Sequence, residues 1–259
     1  METFLLFFVV GALAQSVDGA LGMAYGVISS SVLLALGVPP AMASASVHGA
    51  EVFTTAASAG SHVWHKNVDW RLLTPLALAG VIGGCLGAYV LTGIDGDVIK
   101  PFIVAYLAVI GGYIVWRAGH DIQPRRLPSW TMAPTGAVGG FLDAIGGGGW
   151  GPTVSSTLVA AGQEPRRAIG TVNTAEFFLT VAISATFVWA LVTGHWEEAG
   201  ALEHHAAAVG GLVAGGLLAA PFAGVITKRV PRKVLTYAVG ILLLALAVFQ
   251  GLQLAGVLG

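Results

Sequence analysis

Only 10% of the 259 residues are charged and 56% are apolar, with a mean hydropathy of +0.82. A soluble domain carries about 25% charged residues, and several apolar runs here reach the ~20 residues that cross a bilayer. The composition therefore predicts an all-α polytopic membrane protein and excludes a separate soluble domain. The single Cys85 excludes an internal disulfide, and no metal-ligand spacing of Cys or His occurs. A net charge of −1 points to no class of partner, so the placement of the charges carries more information.

The chain opens on a short apolar piece, Thr3 to Gln15. It resembles a secretory leader, but the start carries Glu2 and no Lys or Arg, so cleavage is not expected. A Gly-rich break follows, Asp18-Gly19-Ala20-Leu21-Gly22-Met23-Ala24-Tyr25-Gly26, and a second short apolar piece runs from Ala24 to Gly37. Together these predict a broken-helix hairpin over 3–37. Pro39-Pro40 opens a long helix expected over 40–64, and further helices are expected over 71–93 and 97–117. Arg117 to Pro128 is the longest polar linker.

The plan then repeats. A hairpin is expected over 129–162, with its break at Asp143-Ala144-Ile145-Gly146-Gly147-Gly148-Gly149-Trp150-Gly151, and helices over 165–193, 204–227 and 231–255. Residues 11–55 align with 136–180 without a gap at 17 of 45 positions. Identities of Ala and Gly count for little in this composition. Asp18/Asp143, Pro40/Pro165 and Glu51/Glu176 involve rarer residues, and they establish an internal duplication. The halves are 1–118 and 129–259, within one membrane domain.

The short pieces decide the expected topology. At 1.5 Å per residue, 13 or 14 residues cover about 20 Å, too little for a core of ~30 Å. A hairpin that enters to mid-depth and returns fits, because irregular backbone is tolerated there when it is buried in protein or lines a cavity. Each half then has three full crossings, and the two repeats have inverted topology. The arrangement puts Lys66, Arg71, Arg117, Arg125, Arg126, Arg166, Arg167, Lys228, Arg229, Arg232 and Lys233 on the cytoplasmic side and only Lys100 outside. If each broken segment crossed once, the 12 cations would divide 7 to 5. The positive-inside rule favours the hairpins, with both termini outside along with the acidic loop of Glu197, Glu198 and Glu203.

Glu51 and Glu176 each lie 11 residues beyond the proline that starts a long helix, or about 16 Å along its axis, near the midplane. A carboxyl group at that depth is a functional candidate, here for carrying a coupling proton. The bland alternative is a neutral hydrogen-bond donor with no part in turnover. His48 and Asn173 lie one helical turn earlier on the same face, and Ser46 and Thr171 also match. His48 reads equally as an interior histidine or as a ligand or proton carrier. Asp18 and Asp143 read first as turn residues holding free N–H groups of the tips. A buried aspartate pair also suggests an intramembrane aspartyl protease, but the flanking residues lack that context. Gly22, Gly26, Gly147, Gly148 and Gly151 would let backbone approach a ligand, and each tip leads into a half-helix N-terminus, a ready anion site. The alternative is glycine-mediated helix packing. Met23 sits within the first tip, and the matched Tyr25 and Trp150 either wall a cavity or pack.

These motifs resemble the TauE/SafE sulfite exporter family, also called toluenesulfonate uptake permeases. The resemblance rests on Asp18 to Gly26, on Pro39-Pro40-Ala41-Met42-Ala43-Ser44-Ala45-Ser46, on Gly146 to Gly151 and on the order of the halves. It spans nearly the whole chain and says little about the substrate. It implies a transporter in a bacterial or archaeal plasma membrane, not an enzyme, with no cofactor and no nucleic-acid partner. The substrate would be a small oxyanion such as sulfite or a sulfonate, its oxygens bound by the tip backbones, with Glu51 or Glu176 as the candidate carrier of a coupling proton. A small-anion or small-solute channel is the alternative within transport, and an intramembrane hydrolase the alternative outside it. A homo-oligomer is compatible with the sequence.

Overall fold

The computed structural model describes residues 1–21, 23–120, 129–196, 202–220 and 231–257. Gly22, Arg125, Arg126, Glu197, Glu198, Lys228, Arg229 and the end of the helix expected over 204–227 lie outside them. The described chain is helical, with no strand among its elements. The first half contains α1 (Glu2–Leu21), α2 (Tyr25–Ala35), α3 (Pro40–Trp64), α4 (Trp70–Thr92) and α5 (Gly96–Gly119). The second contains a 3-10 turn (Ser129–Thr131), α6 (Met132–Gly146), a π-turn (Gly151–Ser155) running into α7 (Ser156–Ala160), α8 (Pro165–Val192), α9 (Leu202–Ala219) and α10 (Arg232–Leu254).

Local chemistry sets these ends. Pro40 and Pro165 take the first turns of α3 and α8, where the missing N–H costs nothing. Asp69 and Asp95 cap α4 and α5 by accepting the N–H groups of Arg71 and Asp97. The two breaks fall in register: α1 ends at Leu21 and α6 at Gly146, 125 residues apart. α1 is longer than its apolar run suggested. Asp18, Gly19 and Ala20 stay helical, and the chain turns only after Leu21, where Ala24 takes a φ of 109°. At 20 residues α1 is about 30 Å long, so the length argument for a half-depth first piece does not hold.

Among the described residues, four helices are long and apolar enough to cross a membrane: Trp70–Thr92, Gly96–Gly119, Arg166–Val192 and Lys233–Leu254. Their outer faces carry exposed apolar side chains such as Leu78, Ile82 and Leu86 on α4, Phe102 and Val109 on α5, and Ile241 and Val248 on α10. In water so much apolar surface would be untenable; against lipid it is the solvated face. α3 has the length but not the apolarity, because it is a central helix. Its buried face carries Ser44, Ser46, His48, Glu51, Thr54 and Thr55.

Helix directions follow from which residues meet. Along α3 and α8, Thr55 meets Thr180 at 3.3 Å and Ser58 meets Asn173 at 3.1 Å, so the two run antiparallel. Gly84 faces Leu179 and Tyr89 packs on Trp189, so α4 runs parallel to α8. Gly136 packs on Leu76 and Gly87 on Phe141, so α6 runs parallel to α4. Gly211 packs on Phe4 and Gly215 on Phe8, and Gly49 faces Val209 while Gly216 faces Thr54, so α9 runs parallel to α1 and to α3. Gly111 faces Leu244 and Gly119 faces Tyr237, so α10 opposes α5. Since α1 and α3 share a direction, α2 leads the chain back between them. The contacts are dense because a Cβ at Gly83 would overlap Ala137 O and one at Gly215 would overlap Phe8 O.

Candidate functional site

The two breaks meet. A Cβ at Gly26 would lie 2.8 Å from Gly148 Cα and 2.9 Å from Gly147 O. The matching contact is Gly151 against Met23, whose Cα would be 2.9 Å from a Cβ there. Gly148, at a φ of 151°, has its Cα face against the backbone of Gly26 and Val27, which leaves no room for a side chain. Gly147, at a φ of 65°, ends α6 and faces Ser30, whose Oγ donates to Gly146 O at 2.9 Å. The crossing lies beside the middle of α3, where Gly26 approaches Glu51 Oε1.

The carboxyl groups gather here. Asp143 Oδ1 accepts the N–H groups of Gly149 at 2.6 Å and Trp150 at 2.8 Å, which satisfies the donors exposed by the second break. Its Oδ2 lies 3.2 Å from His48 Nε2, and both side chains are buried. His48 Nδ1 lies 2.8 Å from Ser44 O, and Ser44 Oγ donates to Ala144 O. Asp18 Oδ1, the counterpart, accepts Tyr25 N–H at 3.4 Å. Glu51 is 3% exposed, and its Oε2 has no protein hydrogen-bond partner among the described residues. Glu51 and Glu176 each lie within electrostatic reach of Asp18 and Asp143. Among the described residues, no group of three or more His, Cys, Asp or Glu is placed to hold a metal ion.

Two small polar cavities adjoin the crossing. One, of about 10 Å³, is bounded by Tyr25, Gly26, Glu51, Asp143, Gly148, Gly149, Gly151 and Glu176 among others. The other, also about 10 Å³, is bounded by Gln15, Asp18, Tyr25, Glu51, Asn173 and Glu176 among others. Each has room for about one water. A third cavity, of about 190 Å³ and mostly apolar, lies between α3, α8 and α9, against Ser46, Gly49, Phe187, Trp196 and Val209.

The sequence candidates therefore separate. Gly26, Gly147, Gly148, Gly151, Tyr25, Met23, His48, Glu51, Asp18 and Asp143 meet at or beside the crossing, Glu176 borders both polar cavities, and Asn173 lines the one that Asp18 also lines. Asn173 Nδ2 donates to Ser58 Oγ. Ser46 faces the apolar cavity instead. Thr171 Oγ1 accepts the N–H of Asp69 at 2.9 Å and ties α8 to the start of α4. Trp150 is wholly buried in packing, and its Nε1 donates to Val172 O. Gly22 lies outside the described residues. The sequence reading gave no site role to Ser30, Ser44, Thr55, Thr180 or Tyr106. Ser30 and the Thr55/Thr180 pair recur in the duplication and Ser44 lies in the Pro39–Ser46 motif, whereas Tyr106 carries no such signal.

The family model described as "Sulfite exporter TauE/SafE" matches residues 7–249. The chain is also 42% identical over 247 residues to a probable membrane transporter protein of Bacillus subtilis (strain 168), YtnM, across 93% of this chain and 80% of that one. Together with its apolar, lipid-facing helices, these matches make the protein a multi-pass membrane protein that belongs to the TauE/SafE sulfite exporter family.

Proposed function

We propose that this protein is a secondary transporter, not an enzyme, that moves a small sulfur-containing oxyanion such as sulfite or a sulfonate across a bacterial or archaeal plasma membrane. Residues 1–118 and 129–259 act as two inverted-topology repeats, each a re-entrant hairpin and three crossings, with both termini outside. The observation that carries the reading is the meeting of the two breaks, Gly26 against Gly147 and Gly148, with a half-helix starting on each side. Broken helices from opposed repeats meeting beside central helices are the usual site architecture of such carriers. The opposite directions of α3 and α8, and the return of α2 between α1 and α3, support the inversion. So does the 11 to 1 split of cations.

A cavity of about 10 Å³ cannot admit an oxyanion, so the substrate enters only when the repeats move. That favours a carrier over an open pore. The unpartnered Glu51 Oε2 is a group that a proton would satisfy, and Glu176 shares its cavity, so these two carboxyl groups carry the coupling proton. No cofactor is needed for this cycle.

Purified protein in liposomes should take up sulfite or methanesulfonate saturably and respond to an imposed pH gradient. Uptake that rises linearly with concentration and ignores the gradient would sink the carrier reading. Cysteine labelling in a Cys85→Ala background tests the topology. A cysteine at Gln123 that labels only from outside sealed cells would reverse the assigned orientation.

A further inference from the structure

The amides expected to hold the substrate already hold a carboxylate of the chain itself. Asp143 Oδ1 takes Gly149 N–H and Trp150 N–H, and its Oδ2 faces His48 Nε2 at 3.2 Å. The bonds on the histidine fix the proton count. His48 Nδ1 faces Ser44 O at 2.8 Å, and a carbonyl oxygen only accepts, so Nδ1 carries hydrogen. Oδ1 accepts two amides, so it carries none. Two groups then remain face to face, Nε2 and Oδ2, and a contact between them needs one shared proton. The pair holds it either as imidazolium with carboxylate or as imidazole with carboxylic acid, and is neutral both ways. Without that proton the Nε2 lone pair would face a carboxylate, which repels it.

We infer that the His48–Asp143 pair is a second proton-holding unit of the transport site, beside Glu51 and Glu176, and that Asp143 occupies the amide cradle that the substrate oxyanion takes. This rests on the proposed transport of an oxyanion at the crossing. When the anion arrives, its oxygens replace Oδ1 on Gly149 and Trp150. The shared proton passes to Asp143, which leaves as the neutral acid, so one anion and one proton occupy the site together and no bond other than N–H and O–H changes. The surroundings require it. The groups that face the cradle are His48 and Glu51 from α3, Asp18 from α1, Tyr25 from α2, Tyr106 from α5 and Glu176 from α8. Three of them are further carboxyl groups, and neither polar cavity is lined by Lys or Arg. An oxyanion cannot displace a charged Asp143 into such company, but it can displace a protonated one. Glu51 Oε2 in the same cavity has no partner among the described residues, and as a neutral acid it would offer its O–H to the anion.

The probe is methanesulfonate, the anion of a strong acid, which stays ionised at every pH used. Binding to the purified full-length protein is measured by calorimetry. Wild-type affinity should fall as pH rises. Asp143→Asn keeps an acceptor for the two amides and a donor for His48 but removes the charge. It should bind methanesulfonate about tenfold more tightly, the difference between a charged and a neutral acceptor, with the pH dependence flattened. In wild type, at the pH where affinity has begun to fall because the pair has given up its proton, a pH indicator in weak buffer should report proton uptake with each anion bound. This second measurement needs no variant and stands if Asp143→Asn fails to fold. Gly26→Val, which closes the crossing, is the control for the site itself. If Gly26→Val abolishes binding but Asp143→Asn keeps wild-type affinity and pH slope, or no proton is taken up, the inference is overturned while the site stands. If binding survives Gly26→Val unchanged, the anion sits elsewhere and both fall.

Discussion

The two tips descend from one duplicated stretch, yet one is held far more firmly than the other. At the second, Asp143 grips two amides and His48. At the first, Asp18 reaches one amide at 3.4 Å. The carboxylate and its spacing to the aromatic residue are the same in both halves, seven residues from Asp18 to Tyr25 and from Asp143 to Trp150. The difference comes from the facing helix. Position 48 is His and its match at 173 is Asn, which turns to Ser58; Ser44, which braces the imidazole, is matched by Ile169. A duplicated backbone can thus keep its symmetry while two substitutions on the facing helix brace one tip and not the other.

The largest effect should come from prising the tips apart. Gly148→Val would drive a branched side chain into Gly26 and Val27 at a φ of 151°. Liposome uptake should fall to background. Gly37→Ala is the matched control, a positive-φ glycine with nothing within 4 Å. It should cost about 1 kcal/mol and leave uptake intact. Equal loss in both variants would mean that strain, not the crossing, governs activity.

Next come the two glutamates. Glu51 is buried with an unpartnered oxygen, whereas Glu176 is half-buried. Glu51→Gln should retain anion exchange and lose the response of net flux to a pH gradient, and Glu176→Gln should lose less of it. The loss is read by comparing exchange with gradient-driven uptake. Unchanged pH dependence in both variants would make these carboxyl groups structural.

The asymmetry of the tips can also be tested by removing it. Asn173→His places an imidazole opposite Asp18 in the geometry that His48 has with Asp143. A charge-assisted hydrogen bond there should stabilise the protein by about 1–2 kcal/mol and slow turnover several-fold, because both tips would then be held. Thermal unfolding and initial uptake rates check the two halves of that statement separately. Faster uptake with no gain in stability would show that the imidazole does not reach Asp18.

Much of this was legible in the sequence, for identifiable reasons. The register of the breaks followed from the rare paired residues, because Asp, Glu and Pro seldom match by chance in an Ala- and Gly-rich chain. Helical rise placed Glu51 and Glu176 near the middle of their helices, whereas Asp18 and Asp143 were read first as turn residues of the tips. The end of α1 was missed because Gly19 and Ala20 look like a break, although a membrane helix tolerates glycine when a neighbour packs on it. The roles of Ser46 and Thr171 were missed for a different reason. Matched positions were taken to do matched work, and helical spacing does not show which loop fills the space beside each one.

Those two residues mark a second difference, between the ends of the α3–α8 pair, and it gives the smallest effect. Near the start of α8, the α3–α4 connection fills the space: Asn67 packs on Gly170, and Thr171 Oγ1 takes the N–H of Asp69. Near the start of α3, the matched Ser46 instead borders a cavity of about 190 Å³. Among the described residues, the start of α8 is covered by this connection while the start of α3 borders the cavity. Thr171→Ala should unfasten the covered end. It leaves a backbone N–H without its partner, a cost of about 1–2 kcal/mol visible in thermal unfolding. The cost falls on the covered end, so a cysteine at Gly170 should label faster in the Thr171→Ala background. Ser46→Ala removes a hydroxyl beside open space and should shift stability by less than about 0.5 kcal/mol with labelling unchanged. Equal responses at the two positions would mean that the cover does not depend on this hydrogen bond, and that the difference between the ends lies in packing around Asn67.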